Sequence, residues 1–211
     1  MSTQVKRNQI DTNLIDGWTP VSSTWTYASA STITVPSGAA SIYQKGDRIK
    51  WTQTTVKYGV IVAVADTLLT IAVNTDYTVA NAAISSIYYS HQANPLGYPH
   101  WFNYTPSITY AGGTTDPTSN TIGFAKYNVT ANICSIVLKS TLVKGTGDRT
   151  VIMFSDPVTR LSTGIMSLNA YSACSGANAM PVCVHEATAK QEIFETMAGN
   201  GDYAINASYD I

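Results

Sequence analysis

Three stretches decide the fold class: Arg48-Ile-Lys-Trp-Thr-Gln53, Val56-Lys-Tyr-Gly-Val-Ile-Val-Ala-Val64 and Leu68-Leu-Thr-Ile-Ala-Val73. In the first, Ile49, Trp51 and Gln53 alternate with Arg48, Lys50 and Thr52, the period of two of a half-buried strand. In the second, Val56, Tyr58, Val60, Val62 and Val64 share one face, and Lys57, Gly59, Ile61 and Ala63 the other. Ala65-Asp66-Thr67 then turns the chain, and Leu69, Ile71 and Val73 return along the same sheet. β-Branched and aromatic side chains dominate both arms, as a pleated surface favours. Lys45-Gly46-Asp47 supplies a turn just ahead. The block predicts a small, strongly bent sheet or barrel over residues 18–90.

Upstream, Ile33 and Val35 end a Thr/Ser-rich strand that Pro36-Ser-Gly38 terminates. Residues 1–17 are polar and without period, and read as an extended arm. Downstream, Val79-Ala-Asn-Ala-Ala-Ile84 reads as a single helical turn. Residues 91–106 carry Pro95, Pro99 and Pro106, which cannot sit in a central strand. Their aromatic content predicts a connector that packs between two modules.

Residues 107–211 again read as strands, over 121–129, 132–140, 149–155, 163–170, 180–185, 190–198 and 202–211. In the last of these Tyr203, Ile205, Ala207, Tyr209 and Ile211 alternate with polar or small residues, after a tight turn at Gly199-Asn200-Gly201. Strands at this spacing predict a β-sandwich, jelly-roll-like, as the second module. No segment of helical length keeps a 3.6-residue period. The expectation is an all-β chain.

Charged residues make up 12% of the 211, about half the roughly 25% of an average soluble domain, and the net charge is -1. Little charge repulsion therefore holds copies of the chain apart, which suits surface buried in an assembly. The densest basic stretch is Lys45, Arg48 and Lys50, too sparse to follow a phosphate backbone, so no nucleic-acid partner is expected. No run approaches the ~20 apolar residues of a membrane span. The start, Met1 to Arg7, is followed by polar residues and not by an apolar core, so no signal peptide is read and synthesis in a cytosol is expected. Asn103-Tyr-Thr, Asn128-Val-Thr and Asn206-Ala-Ser then read as chance matches to the glycosylation pattern.

The candidate chemistry is thin. Three cysteines, Cys134, Cys174 and Cys183, do not make a disulfide framework. Cys174, Cys183 and His185 form the one soft-ligand cluster, but zinc needs four ligands, or three and an open position, in close geometry. They read as two buried thiols and a strand histidine, with a Cys174–Cys183 crosslink across a hairpin as the oxidised alternative. Cys183 with His185, or Cys134 with His100, lacks the orienting third group of a nucleophilic pair. The acids Asp47, Asp66, Asp76, Asp116, Asp148, Asp156, Glu186, Glu192, Glu195, Asp202 and Asp210 are scattered, most at turns or on outer faces, and not paired as glycosidases require. Lys45-Gly46-Asp47-Arg48 reads as a turn. Of the 13 Tyr, 4 Trp and 4 Phe, those placed on loops (Trp101, Tyr104, Tyr110 and Tyr171) are the candidates for stacking on sugars, though packing is the commoner use of such rings. No catalytic residue, cofactor or metal is expected.

A series of motifs runs through the first half: Trp18-Thr-Pro20, Thr24-Trp-Thr-Tyr-Ala-Ser29, Tyr43-Gln-Lys-Gly-Asp-Arg-Ile-Lys50, Thr52-Gln-Thr-Thr-Val-Lys-Tyr58, Thr67-Leu-Leu-Thr70 and Asp76-Tyr-Thr-Val-Ala-Asn-Ala-Ala-Ile84. Tyr89-Ser90, Pro95-Leu-Gly-Tyr-Pro99 and Trp101-Phe102 close it. In this order, over residues 16–106, they resemble a module common in tailed-bacteriophage and prophage virion proteins. The second module resembles the β-sandwich heads that end many phage fibres, commonly as trimers. The resemblance implies a non-enzymatic subunit on the virion surface, a tail fibre, head fibre or capsid decoration. It would be homotrimeric and anchored by the 1–17 arm to other virion proteins, with the sandwich displayed outward. A host-receptor or glycan-binding adhesin and a polysaccharide-degrading spike are the alternatives. No binding residue of the family carries over to a position here.

Overall fold

A computed structural model of the chain describes residues 16–73, 75–111, 116–143, 151–158, 167–174, 182–186, 190–194 and 201–211. The expected arm therefore lies outside the described residues except for Asp16 and Gly17, as does the turn at Gly199-Asn200. The described residues are all-β, every strand pair is antiparallel, and two units separate at His100 and Trp101.

In the first unit β1 (Thr19–Pro20), β2 (Thr26–Ser29), β3 (Thr32–Thr34), β4 (Arg48–Gln53), β5 (Thr55–Ala65), β6 (Leu68–Ala72) and β7 (Ser85–Ser90) build one sheet. Its order is β1-β7-β4-β5-β6-β3-β2. The edge strands β1 and β2 do not pair with each other, so the sheet is open and no barrel closes. As the alternation predicts, Ile49, Trp51 and Gln53 of β4 are buried together, and the two apolar ones join Trp25, Ile33, Tyr43, Ile61, Leu69 and Ile87 in one core. Gly59 makes room for that core. A β-carbon there would stand 3.1 Å from Val73 Cγ1 and 3.4 Å from Trp51 Cζ3.

The reverse face of β4 is covered as well, which a half-buried strand does not require. Arg48 is buried, its Nε donates to the Ala93 carbonyl at 2.9 Å, and its guanidinium lies 5.2 Å from the Tyr98 ring centroid. The Lys50 ammonium sits between two rings, 4.5 Å from Trp18 and 4.4 Å from Tyr88. Such contacts contribute about 0.5–2 kcal/mol each, more as water is excluded. Burial pulls the Lys50 pKa below the usual lysine value, with the Asp16 carboxylate opposing. Trp18 is fixed in turn by its indole N–H, which donates to the Leu96 carbonyl at 2.8 Å.

Two local expectations need correction. The face assignment of Val56 to Val64 does not hold along the whole strand, because a β-bulge interrupts β5: Ile61 faces Ile71 but Ala63 faces Thr70. The extra residue switches the pleat. Ile61 is thus fully buried, Ala63 is exposed, and Val64 packs on the core. Residues 79–84 form no helical turn; the described 3-10 turn is Ala39–Ser41. The cause is Gln53. Its amide Nε2 donates to the Ala80 and Ala82 carbonyls at 2.8 and 2.9 Å, and its Oε1 accepts from the Ala80 N–H at 3.0 Å. Backbone groups held by a side chain are not free for a helix.

The second unit holds β8 (Phe102–Asn103), β9 (Ile108–Ala111), β10 (Ser119–Thr130), β11 (Ile133–Val143), β12 (Val151–Ser155), β13 (Ser167–Cys174), β14 (Val182–Glu186), β15 (Lys190–Phe194) and β16 (Gly201–Asp210). They form a sandwich-like pair of sheets, β13-β16-β11-β10-β8 and β14-β15-β12-β9. Alternate residues of the long strands are buried: Ala125, Tyr127 and Val129 on β10, Cys134, Ile136 and Leu138 on β11, and Ile205, Ala207 and Tyr209 on β16. Phe154 of the other sheet is buried too.

The expected connector is divided between the units. Trp18 and the Tyr58 ring pack against Tyr98 in the first unit. In the second, Phe102 stacks on Tyr127 at 5.5 Å and Tyr104 meets the same ring edge-on at 6.1 Å. Burial, with Asp156 nearby, pushes the Tyr104 phenol above its ordinary value; burial, then Cys134 and Asp156, do the same to Tyr209. Tyr209 stays protonated and donates to the Val158 carbonyl at 2.9 Å.

Two stability outcomes follow in equilibrium urea unfolding. Gln53→Leu strands the Ala80 and Ala82 backbone groups and should cost about 3 kcal/mol. Fluorescence reads this directly, since Trp18, Trp25 and Trp51 are all buried in the first unit. Tyr209→Phe removes both buried hydrogen bonds of this hydroxyl, the one donated to the Val158 carbonyl and the longer one accepted from the Val158 N–H, and should cost about 1–2 kcal/mol, lowering the midpoint of the β-sheet circular dichroism transition without changing its slope.

Candidate functional site

A groove of about 270 Å³ opens beside the β1 edge of the first sheet. Residues 19–23 line one part of it and Ile42, Tyr43 and Tyr89 the rest, with Thr19 and Tyr89 side by side across the strand pair. Each part has a local cause. Pro20 has no N–H, so it suits an edge strand. β1 pairs only Thr19 with Tyr89 and Pro20 with Tyr88, and the chain leaves the sheet after Val21 donates to the Ile87 carbonyl at 2.9 Å. In the rest, the 3-10 turn closes when the Ile42 and Tyr43 N–H groups both donate to the Ala39 carbonyl. That turn leaves Ile42 47% exposed and Tyr43 buried.

The aromatic wall is fastened from behind. Tyr43 meets Trp25 edge-on at 5.6 Å and Tyr89 edge-on at 5.2 Å. The Tyr43 hydroxyl lies beside the Trp25 and Ser23 side chains, and burial raises its pKa, so it remains a donor at neutral pH. Tyr89 in turn carries His91 against its ring at 5.2 Å. The hydroxyl-bearing residues of the lining are Thr19, Ser22, Ser23, Tyr43 and Tyr89, and no charged side chain lines the groove.

Beside the groove, Asp47 organises the turn read from Lys45-Gly46-Asp47-Arg48. It is 1% exposed, where a solvated turn carboxylate was expected. Its Oδ2 accepts the Gln44 N–H at 2.9 Å, and its Oδ1 lies 2.8 Å from His91 Nδ1. Its own backbone bonds Gln44 and Ile61. Gly46, at φ 95°, supplies the left-handed residue of the turn. The buried carboxylate thereby holds His91, half exposed, against Tyr89.

The other sequence candidates disperse. Cys134 is buried on β11, in register with Tyr209. It falls in the second unit, whereas His100 ends the first. Cys183 and His185 stand on β14, and Cys174 ends β13 in the other sheet, so no strand pair joins the two cysteines. The side chains of Cys174, Cys183, His185 and Tyr171 lie outside the described part. Among the described residues, no group of three His, Cys, Asp or Glu side chains is placed to hold a metal ion, and no helix is long and apolar enough to cross a membrane.

Three more of the described acids bond the scaffold. Asp66 accepts the Gly38 N–H at 2.8 Å and Asp16 the Trp18 N–H at 3.0 Å. Hydrogen bonds from Lys139 and then Thr141 hold the Asp202 carboxyl below its usual range. Asp148 and Glu195 lie outside the described residues. Of the sugar-stacking candidates, Trp101 is 41% exposed, but Tyr104 is core and Tyr110 and Tyr171 are on strands, not loops. The groove residues escaped the sequence reading because three separate segments build the site. No protein-family model, no curated protein and no solved structure matches the chain.

The hub makes an asymmetric prediction. Asp47→Ala leaves the Gln44 N–H and His91 without their acceptor and should cost about 3 kcal/mol. His91→Ala removes a half-exposed partner and should cost under about 1 kcal/mol. Urea titrations of the two variants side by side check the ratio.

Proposed function

We propose that the chain is a non-enzymatic structural subunit of a tailed-bacteriophage particle, an oligomeric surface fibre or capsid-decoration protein held to the particle through its N-terminal segment. The observation that carries this reading is what the motif series of residues 16–106 does in the fold. Trp18, Trp25, Tyr43, Trp51 and Leu69 are core residues. Asp47, Gln53 and Leu96 fasten loops through hydrogen bonds. The residues that resemble the virion module are thus packing and loop-fastening positions, and what they encode is a scaffold.

The charge economy supports the same reading. Only 12% of residues are charged, and Asp47, Arg48 and Lys50 are spent inside the first unit instead of converging on a cleft. A surface so poor in ions is easily covered by sister subunits, because burying an ion costs several kcal/mol that a hydroxyl or methyl does not.

Light scattering coupled to size exclusion tests the assembly. The full chain should elute at three times its monomer mass and stay so on dilution, as interfaces above ~1,000 Å² allow. Purified particles from a producing culture should contain it in stoichiometric amount by mass spectrometry. A monomer at micromolar concentration, or particles free of the chain, would overturn the proposal.

A further inference from the structure

We infer that the groove lined by residues 19–23, Ile42, Tyr43 and Tyr89 is a binding site for a neutral saccharide, sized for one pyranose ring and its glycosidic linkage. A pyranose offers two unlike surfaces, a C–H face that packs on aromatic or aliphatic carbon and a rim of hydroxyls that both donate and accept. The groove has the matching pair. Tyr89 and Ile42 supply accessible carbon with buried Tyr43 beneath, and Thr19, the cross-strand neighbour of Tyr89, supplies a hydroxyl-bearing side chain together with Ser22 and Ser23. Its volume of about 270 Å³ falls just below the roughly 300–1,000 Å³ of drug-sized pockets.

The alternatives fit less well. A phosphate or an acidic ligand needs a cation, and no charged side chain lines this groove. An extended peptide joining the sheet at β1 needs a regular row of backbone donors, and Pro20 interrupts that row. The wall is also rigid before any ligand arrives, because Tyr43 is braced by Trp25 and Tyr89 by His91, which Asp47 holds. A preformed wall reduces the ordering that binding must otherwise impose. The inference goes beyond the structural role and is tested separately from it, since binding is read on the purified chain whatever its oligomeric mass.

Saturation-transfer-difference NMR on the full chain, with glucose, galactose, N-acetylglucosamine and their β-linked disaccharides as probes, tests it. At least one neutral sugar should receive saturation through its ring C–H protons, with a dissociation constant in the millimolar range. Ser22→Arg, at an exposed rim position, should close the groove and weaken binding about tenfold or more while leaving the core intact. Tyr89→Ala should do the same by removing the stacking wall. If Tyr89→Ala fails to fold, Ser22→Arg carries the test. Trp101→Ala, outside the groove, should leave affinity unchanged. No transfer to any of these sugars, transfer that Ser22→Arg leaves intact, or equal competition by glycerol would overturn the inference.

Discussion

A polar group taken out of water must be given a partner, and β4 is organised around meeting that demand at both of its ends. Asp47 stands just before the strand and Gln53 closes it, and both are buried. Asp47 gathers Gln44, Ile61 and His91. Gln53 gathers Trp51, Ala80 and Ala82. Between them Ile49 and Trp51 fill the core. Each buried polar residue thus fastens a loop that has no ladder of its own, and each loop excludes water from the group that fastens it. The same dependence reaches the groove, whose outer ring, Tyr89, is braced by the histidine that Asp47 holds.

Much of this fold was legible in the chain because a two-residue period is a local signal. Ile49, Trp51 and Gln53, and Ile205, Ala207 and Tyr209, are buried as their alternation implies. Strands β10, β11 and β16 lie where the pattern places them, within a few residues at their ends. The errors arise where one distant contact outweighs the local pattern. Nothing within Val56–Val64 marks the residue at which the pleat slips; the bulge is set by how Ile61 and Val64 meet the core across β6. Ala80, Ala82 and Ala83 have good helix propensity, but the Gln53 amide, far back in the chain on β4, holds the backbone groups of Ala80 and Ala82.

The candidate site was less legible, for the same reason in a stronger form. Its walls come from residues 19–23, 42–43 and 89, and no short motif spans them. The charges near it also misled: Asp47 in a Lys-Gly-Asp-Arg turn has the composition of a solvated loop, and only its partners explain burial. Aromatics were visible but not their surroundings. Tyr104 follows three residues after exposed Trp101, yet it lies under Tyr127 in the second core. What a ring does depends on what stands opposite, and that is a property of topology.

The scarcity of charge acquires a physical sense on the outer face of the five-stranded sheet. There two of the rungs between β11 and β16 are joined through hydroxyls. Ser135 and Ser208 share a hydrogen bond at 3.0 Å, and Thr141 donates to Asp202 at 2.7 Å. One ion pair, Lys139 with Asp202 at 2.8 Å, crosses the same strands, and both its members remain about two-fifths exposed. A hydroxyl donates and accepts at once, so a rung of two can satisfy itself without water. A rung of two ions keeps most of its stabilisation only while solvent is near, and covering it costs more than the pair returns. A rung such as Ser135 with Ser208 therefore loses little when another surface displaces its water. Low charge in this chain thus goes with hydroxyls that find their partners inside the sheet, as Ser135 and Ser208 do.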